Sequence, residues 1–243
     1  IGHIAGTNGF FRTTFSGSDV WVNTITTPPT STINDIYFEN LKHGYFVTQN
    51  YVYETNNEGE SWAQGSPHGD FEFKSVSFNY SRTIAVGGNN TIWRKVGGLW
   101  QDVANGAAGD FNSVSQYDKN IALVAGDGGI VYKTINMGLG PIYQGSVSWT
   151  LSPTGVSFNI NSIKAIRGTI YAYLCGNGGT IMKSIDQGDN WNLQTSNVTA
   201  DLKSIYFTDA LNGFACGNSG TIVKTTDGGT NWTALTSGTT YNL

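Results

Sequence analysis

Residues 202–235 read LKSIYFTDALNGFACGNSGTIVKTTDGGTNWTAL, four short apolar runs separated by turn-forming residues. The densest piece is Thr225-Thr226-Asp227-Gly228-Gly229-Thr230-Asn231-Trp232, and one unit earlier stands Ser184-Ile185-Asp186-Gln187-Gly188-Asp189-Asn190-Trp191. Both follow one pattern: hydroxyl, any residue, Asp, any residue, Gly, any residue, polar residue, Trp. Working outward, Trp21, Trp62, Trp100, Trp149, Trp191 and Trp232 are spaced by 41, 38, 49, 42 and 41 residues. A repeat of about forty residues holding four strand-like runs is the signature of a propeller blade.

The pattern is the Asp-box, and the chain resembles the Asp-box (BNR-type) β-propellers. The flanking G-x-x-G-T-I-x-K-[ST], seen at Gly176–Ser184 and Gly217–Thr225, is similar to repeats of photosystem II assembly-factor-like proteins. The resemblance implies an all-β propeller of four-stranded blades, and the six spaced tryptophans make it six-bladed, spanning 1–243 as one domain. It also implies a scaffold role for Asp186, Gly188, Trp191, Asp227, Gly229 and Trp232. Such repeats serve enzymes, lectin-like modules, assembly factors and adhesins, so fold alone does not name the activity.

The remaining units follow the two strict ones with local changes. Thr55, Asn57, Gly59 and Trp62 put Asn for Asp, and Thr14, Ser16 and Trp21 have a longer turn. Lys95 to Trp100 is a shortened box, and Thr134, Asn136 and Gly138 precede an insertion before Trp149. The first strands align as Ile33-Asn34-Asp35-Ile36, Phe73-Lys74-Ser75-Val76, Phe111-Asn112-Ser113-Val114, Ile160-Asn161-Ser162-Ile163 and Leu202-Lys203-Ser204-Ile205. A small polar residue recurs at the third place, which crowding around a ring axis explains. The second runs end in glycine-rich turns such as Gly176 to Gly179, which supply the positive φ of tight reversals. A strand pattern follows each turn and no helix does, so a phosphate-cradling reading fails. The third runs carry two adjacent apolar places, as in Ile181/Met182 and Ile222/Val223, and predict strands buried on both faces. Trp93 falls in such a run and reads as packing.

The chain opens within a second-strand pattern, and Tyr241-Asn242 aligns with Ile160-Asn161 at the start of an inner strand. This predicts that the two ends complete one blade and close a six-bladed ring; the alternative is part of a seven-bladed one. Closure removes open sheet edges.

Composition narrows the function classes. Charged residues make up 12% of the chain, against ~25% in an ordinary domain, and the net charge is −4. That argues against non-specific nucleic-acid binding, which needs a basic face. A polar but weakly ionic surface leads us to expect an extracellular or cell-surface protein of bacterial or phage origin. No apolar run approaches a membrane span, so no membrane insertion is expected. Cys175 and Cys216 share one repeat position and read as small buried residues.

Sialidases share the Asp-box but need an arginine triad. This chain has four arginines, Arg12, Arg82, Arg94 and Arg167, and no Arg-Ile-Pro run. Other glycosidases need two carboxylates ~5–10 Å apart, and no pairing emerges from Glu39, Glu72, Asp102, Asp110 or Asp118. His3, His43 and His68 lack metal-ligand spacing or a nucleophile partner. No catalytic residue, metal or cofactor is expected. Basic residues end most third strands: Arg12, Arg94, Lys133, Lys183 and Lys224, with Glu54 as the exception. They form either a cationic rim for an acidic partner or glycan, or a solvated rim whose stems cover neighbouring rings. Four N-x-[ST] sequons begin at Asn79, Asn89, Asn197 and Asn231. The insertion Met137 to Ser148 and the Thr27 to Thr30 segment are irregular loops of the kind that carry binding. The reading is a non-catalytic recognition or scaffolding propeller with a protein partner; the alternative is carbohydrate binding or processing.

Overall fold

A computed structural model describes residues 2–14, 20–22, 31–68, 70–79, 82–104, 106–137 and 147–243. Ser16, the Thr27 to Thr30 segment and most of the Met137 to Ser148 insertion lie outside them. The chain divides into two compact units, Ile1–Ala104 and Asn105–Leu243.

The first unit holds three sheets. The first is the hairpin β1 (Gly2–Ala5) and β2 (Phe11–Thr14). The second is β3 (Ile33–Phe38), β4 (Gly44–Thr48), β5 (Tyr51–Thr55) and β6 (Ala63–His68). The third is β7 (Phe73–Asn79), β8 (Arg82–Gly87), β9 (Ile92–Val96) and β10 (Leu99–Asp102). In the second unit the fourth sheet is β11 (Phe111–Gln116), β12 (Ala122–Gly126), β13 (Val131–Thr134) and β14 (Thr150–Leu151). The fifth is β15 (Ile160–Ala165), β16 (Ala172–Gly176), β17 (Ile181–Ser184) and β18 (Asn192–Gln194). The sixth is β19 (Leu202–Phe207), β20 (Gly213–Gly217), β21 (Ile222–Thr225) and β22 (Thr233–Leu235). All neighbours are antiparallel and follow chain order, as a meander of four strands per blade requires.

Within each unit the core lies between consecutive sheets. Leu123, Ala125 and Val131 of the fourth sheet pack on Ile163, Leu174, Met182 and Trp191 of the fifth. Tyr173, Cys175 and Ile181 on the other face of the fifth pack on Ile205, Phe207, Ala215 and Trp232 of the sixth. Burial of the third strand on both faces follows from this sandwiching: Ile181 and Met182 are 0% and 3% exposed. In the first unit Tyr45, Val47 and Val52 meet Phe73, Val76, Trp93 and Trp100. Cys175 is a free, buried thiol, and burial pushes its pKa up; Cys216 is free and partly exposed.

The third place of the inner strands has a more specific cause than crowding. Ser113 Oγ accepts the Ile163 amide at 3.1 Å and Ser162 Oγ that of Ile205 at 3.3 Å, and two places further along β11 Ser115 Oγ accepts that of Ala165 at 3.0 Å. Asp35 Oδ2 does the same in the first unit, accepting from Val76 N–H and the Ser75 hydroxyl at 2.9 Å each. Each short polar side chain therefore satisfies a main-chain donor of the following sheet, one that otherwise would be buried without a partner. The second place is a β-bulge in all five inner strands, where the register slips between first and third residues. A bulge re-aims its side chain. Here it turns Asn34, Asn112 and Asn161 so that their amides donate to Phe73, Ile160 and Leu202 carbonyls at 2.6, 3.0 and 2.7 Å.

The chain end takes a different register from the one expected. Asn159 and Asp201 each accept, through Oδ1, an amide of the preceding glycine-rich turn, Gly128 at 3.1 Å and Gly178 at 2.9 Å. Asn242 Oδ1 accepts Ser219 N–H at 3.1 Å in the same way, and Leu243 N–H donates to Gly217 O. Asn242 is thus the counterpart of Asn159, two places earlier than the alignment with Asn161 implied. Leu243 alone stands at the first place of an inner strand. No helix is long and apolar enough to cross a membrane among the described residues.

Candidate functional site

The Asp-box turns are closed by their own side chains. Asp186 Oδ1 accepts the Ser184 hydroxyl at 2.8 Å and the Asn190 and Asp189 amides at 2.9 and 3.1 Å, while Ser184 Oγ accepts Gly188 N–H at 2.7 Å. Asp227 repeats this with Thr225, Asn231 and Gly229. Asn57 and Asn136 replace the carboxylate without losing the turn, because Oδ1 still accepts from Thr55 and Thr134. Trp191 donates its indole N–H to Ser152 Oγ at 2.9 Å and is buried, as is Trp232.

Slight burial pushes the Asp186 pKa up, but hydrogen bonds from Asn190, Ser184 and Asp189 outweigh it and hold the group at about 2. A folded-state pKa below the ordinary 3.8 means the stabilisation is complete above that value and is lost as pH falls toward 2. Urea midpoints measured from pH 5 downward are expected to drop in this window. Asp186→Asn, which keeps the Oδ1 acceptor, is expected to show a shallower drop; an unchanged slope counts against the carboxylate.

Strand register sorts the basic residues. Glu54, Arg94, Lys133, Lys183 and Lys224 occupy one place, opposite Tyr45, Ile84, Leu123, Tyr173 and Phe214. Arg12 does not share it. Phe11, opposite Ala5, begins β2 just as Ile222, opposite Cys216, begins β21. Arg12 therefore matches Val223, on the other sheet face, and Thr13 takes the basic place. Reading Phe10 as the strand start displaced the alignment by one, because Phe10 closes the turn Thr7–Gly9.

Four of the five charges at this place have hydrogen-bonding partners inside the molecule. Lys133 Nζ pairs with Asp189 of the next box at 2.7 Å, and its side chain is 11% exposed. Lys183 Nζ donates to Gly228 O at 2.7 Å and lies over the Tyr171 and Tyr173 rings; burial lowers its pKa. Arg94 is 7% exposed and bonds Gln101. Glu54, the exception, meets Lys95, which stands where other repeats carry the box hydroxyl. Its carboxylate accepts from Lys95 Nζ at 2.5 Å, Tyr45 OH at 2.6 Å and His43 Nε2 at 3.0 Å. Burial pushes the Glu54 pKa up, yet these three donors bring it below the usual carboxylate range. The Lys224 ammonium lies 5.5 Å from the centre of the Phe214 ring and has no hydrogen-bond or ion-pair partner among the described residues.

A concave surface forms elsewhere in the first unit. Asn8, Ser31, Thr32, Asn34, Gln49, Glu72 and Lys74 line a polar depression of about 620 Å³. Two bulged side chains, Asn34 and Lys74, contribute to it. Amides, hydroxyls and one charge of each sign suit main-chain and polar side-chain recognition. The grouping of Asn34 and Lys74 with Gln49 and Glu72 was not visible in the sequence. His3 and His43 are not among its lining residues. His3 bonds Thr13, stacks on Phe38, and is pushed by burial to a pKa of about 4; His43 serves Glu54. No three His, Cys, Asp or Glu residues gather as metal ligands among the described residues.

The sequence matches the family of the photosystem II assembly factor YCF48 over residues 13–165 and 143–226. The chain belongs to the YCF48 family. A solved YCF48 bound to D1 peptide is 16% identical and superposes with a TM-score of 0.68, covering 96% of this chain and 76% of that one. The WD40 β-propeller domain of Doa1 is 14% identical, with a TM-score of 0.64 over 85% of this chain and 68% of that one. The computationally designed protein Ika8 is 10% identical, with a TM-score of 0.68 over 95% and 69%. These likenesses make the fold a β-propeller. No curated protein matches the chain. In this YCF48-family chain the Asp-box side chains close their own turns, and the polar depression is one concave surface of the first unit.

Proposed function

We propose that the chain is a non-catalytic, protein-binding propeller that holds an extended segment of a partner while a larger complex is assembled. Membership of the YCF48 family carries this reading. The YCF48 structure with a D1 peptide supports it, since a propeller of the same family accommodates a peptide. The depression around Gln49 and Lys74 supplies amide groups and charge to a peptide backbone and its side chains. The low charged content supports action outside the cytoplasm.

The test is a fluorescence-anisotropy titration with a labelled D1 peptide and a scrambled control. Saturable binding of the D1 peptide is expected, with roughly tenfold weakening in Gln49→Ala/Lys74→Ser, the loss of one or two polar contacts. Equal binding of the scrambled peptide, or none of either, defeats the reading. Unchanged affinity in the double variant removes the depression as its location.

A further inference from the structure

Three side-chain amides at the inner end of the fifth sheet are oriented by main-chain partners, which identifies the groups they have left over. Asn161 Nδ2 donates to the Leu202 carbonyl at 2.7 Å and to Asn177 Oδ1 at 3.1 Å. A carbonyl only accepts, so the nitrogen must be the atom turned toward it, and Asn161 Oδ1 is left as an acceptor. Asn177 is engaged through Oδ1, which leaves the two N–H bonds of its Nδ2. Asn159 accepts the Gly128 amide through Oδ1 at 3.1 Å, so its Nδ2 is left over as well. None of these leftover groups has a hydrogen-bond partner among the described residues, and all three side chains are half-buried.

The same device recurs around it. Asn112, at the bulge of β11, donates to the Ile160 carbonyl beside Asn161 at 3.0 Å and to Asp127 Oδ1 at 2.7 Å. Asn34 is bulged at the same place in the first unit, donates to Phe73 O at 2.6 Å, and lines the polar depression there. In the fourth sheet the turn residue is the acceptor-only Asp127, while its counterpart Asn177 in the fifth is an amide. Only the amide adds a donor. Asn161 Oδ1 beside Asn177 Nδ2 is an acceptor next to a donor, the complement of the N–H and C=O of a peptide group.

We propose that Asn159, Asn161 and Asn177 form a second peptide site, which holds an extended partner segment by its main chain. The site rests on the peptide-binding reading above and extends it to the second unit. Glu72 and Lys74 in the depression bring charge that distinguishes one side chain from another. The three amides are neutral and address groups that every residue except proline carries. Recognition at the fifth sheet is therefore independent of the partner's sequence.

The test is an NMR titration of the isotope-labelled chain with a capped Gly-Ser hexapeptide, followed at the side-chain NH2 signals of Asn159 and Asn177. Saturable shifts at both are expected with millimolar affinity, the strength of a few hydrogen bonds. The same hexapeptide methylated on its main-chain nitrogens should bind more than about fivefold more weakly, because it has lost its donors. Asn177→Asp installs the residue of its counterpart Asp127, and Asn161→Lys the residue found at the same place as Lys203. Each should weaken binding by a similar factor, whereas Gln49→Ala/Lys74→Ser should leave it unchanged. Should Asn161→Lys lose its circular-dichroism melt, Asn177→Asp and the methylated peptide carry the comparison. Absent shifts at Asn159 and Asn177, equal binding of the methylated peptide, or the same shifts with maltotriose overturn the proposal. A D1 peptide bound only through Gln49 and Lys74 would overturn this site and leave the function standing. Hexapeptide shifts without D1 binding would do the reverse.

Discussion

Gly179→Ala is expected to destabilise the second unit by about 3 kcal/mol, the range of a substitution that combines backbone strain with a steric conflict. Gly179 ends the turn after β16 with φ +73°, and a Cβ there would lie 2.0 Å from the Val198 carbonyl oxygen and 2.7 Å from its carbon. A left-handed non-glycine residue alone costs roughly 1–2 kcal/mol. The rest arises because Val198 is main chain and cannot swing aside. Its loop is tied by Ser196 Oγ, which bonds both Val198 O and N–H, and by Asp201 holding Gly178 N–H. The control is one residue away. Gly178 has φ +65° with nothing within 4 Å of a Cβ, so Gly178→Ala should cost only about 1 kcal/mol. Denaturant midpoints of the two variants decide the matter. Equal losses would mean that the Val198 contact relaxes freely.

The second large effect is Glu54→Lys, which makes the second repeat agree with the others yet should destabilise the first unit by about 3 kcal/mol. The substitution sets two ammonium groups together and strips Tyr45 OH and His43 Nε2 of their acceptor. Side-chain exposures of 18% for Lys95 and 23% for Glu54 leave limited solvent to screen the repulsion. Adding Lys95→Thr restores the lysine-and-hydroxyl arrangement of the other repeats and should recover at least ~1 kcal/mol, a coupling expected between residues in contact. Thermal melts of the single and double variants measure it. Additive losses would show that Glu54 and Lys95 act separately.

The Glu54 case shows where sequence reading stopped. A departure from the repeat is visible at once, but its compensation lies 41 residues on, in the place of a different motif element. The propeller fold and the strand order within each sheet were legible because tryptophan spacing and paired apolar places depend only on local geometry. The serine at the third place was legible as a pattern and not as a bond, since its partner belongs to the next repeat. Alignments slipped where a single residue separates two faces. Phe10 looks like a strand residue but closes a turn, which carried Arg12 to the wrong side. Tyr241-Asn242 matched by residue type, while the hydrogen bond to Ser219 assigns Asn242 another place. The depression was not legible, because Asn8, Gln49 and Glu72 come from turns with no shared motif.

The hydroxyl contacts between successive sheets also carry a direction in time. Within the second unit the acceptors on β11 and β15 come earlier in the chain than the amides of Ile163, Ala165 and Ile205 that they satisfy. On a ribosome the earlier repeat emerges first, so its oxygens are already in place when the next inner strand appears. A repeat that follows therefore meets acceptors already supplied by its predecessor, one of the neighbour contacts on which repeat stability rests. A circular permutant that delays β11 would leave the Ile163 and Ala165 amides without these acceptors until the end of synthesis.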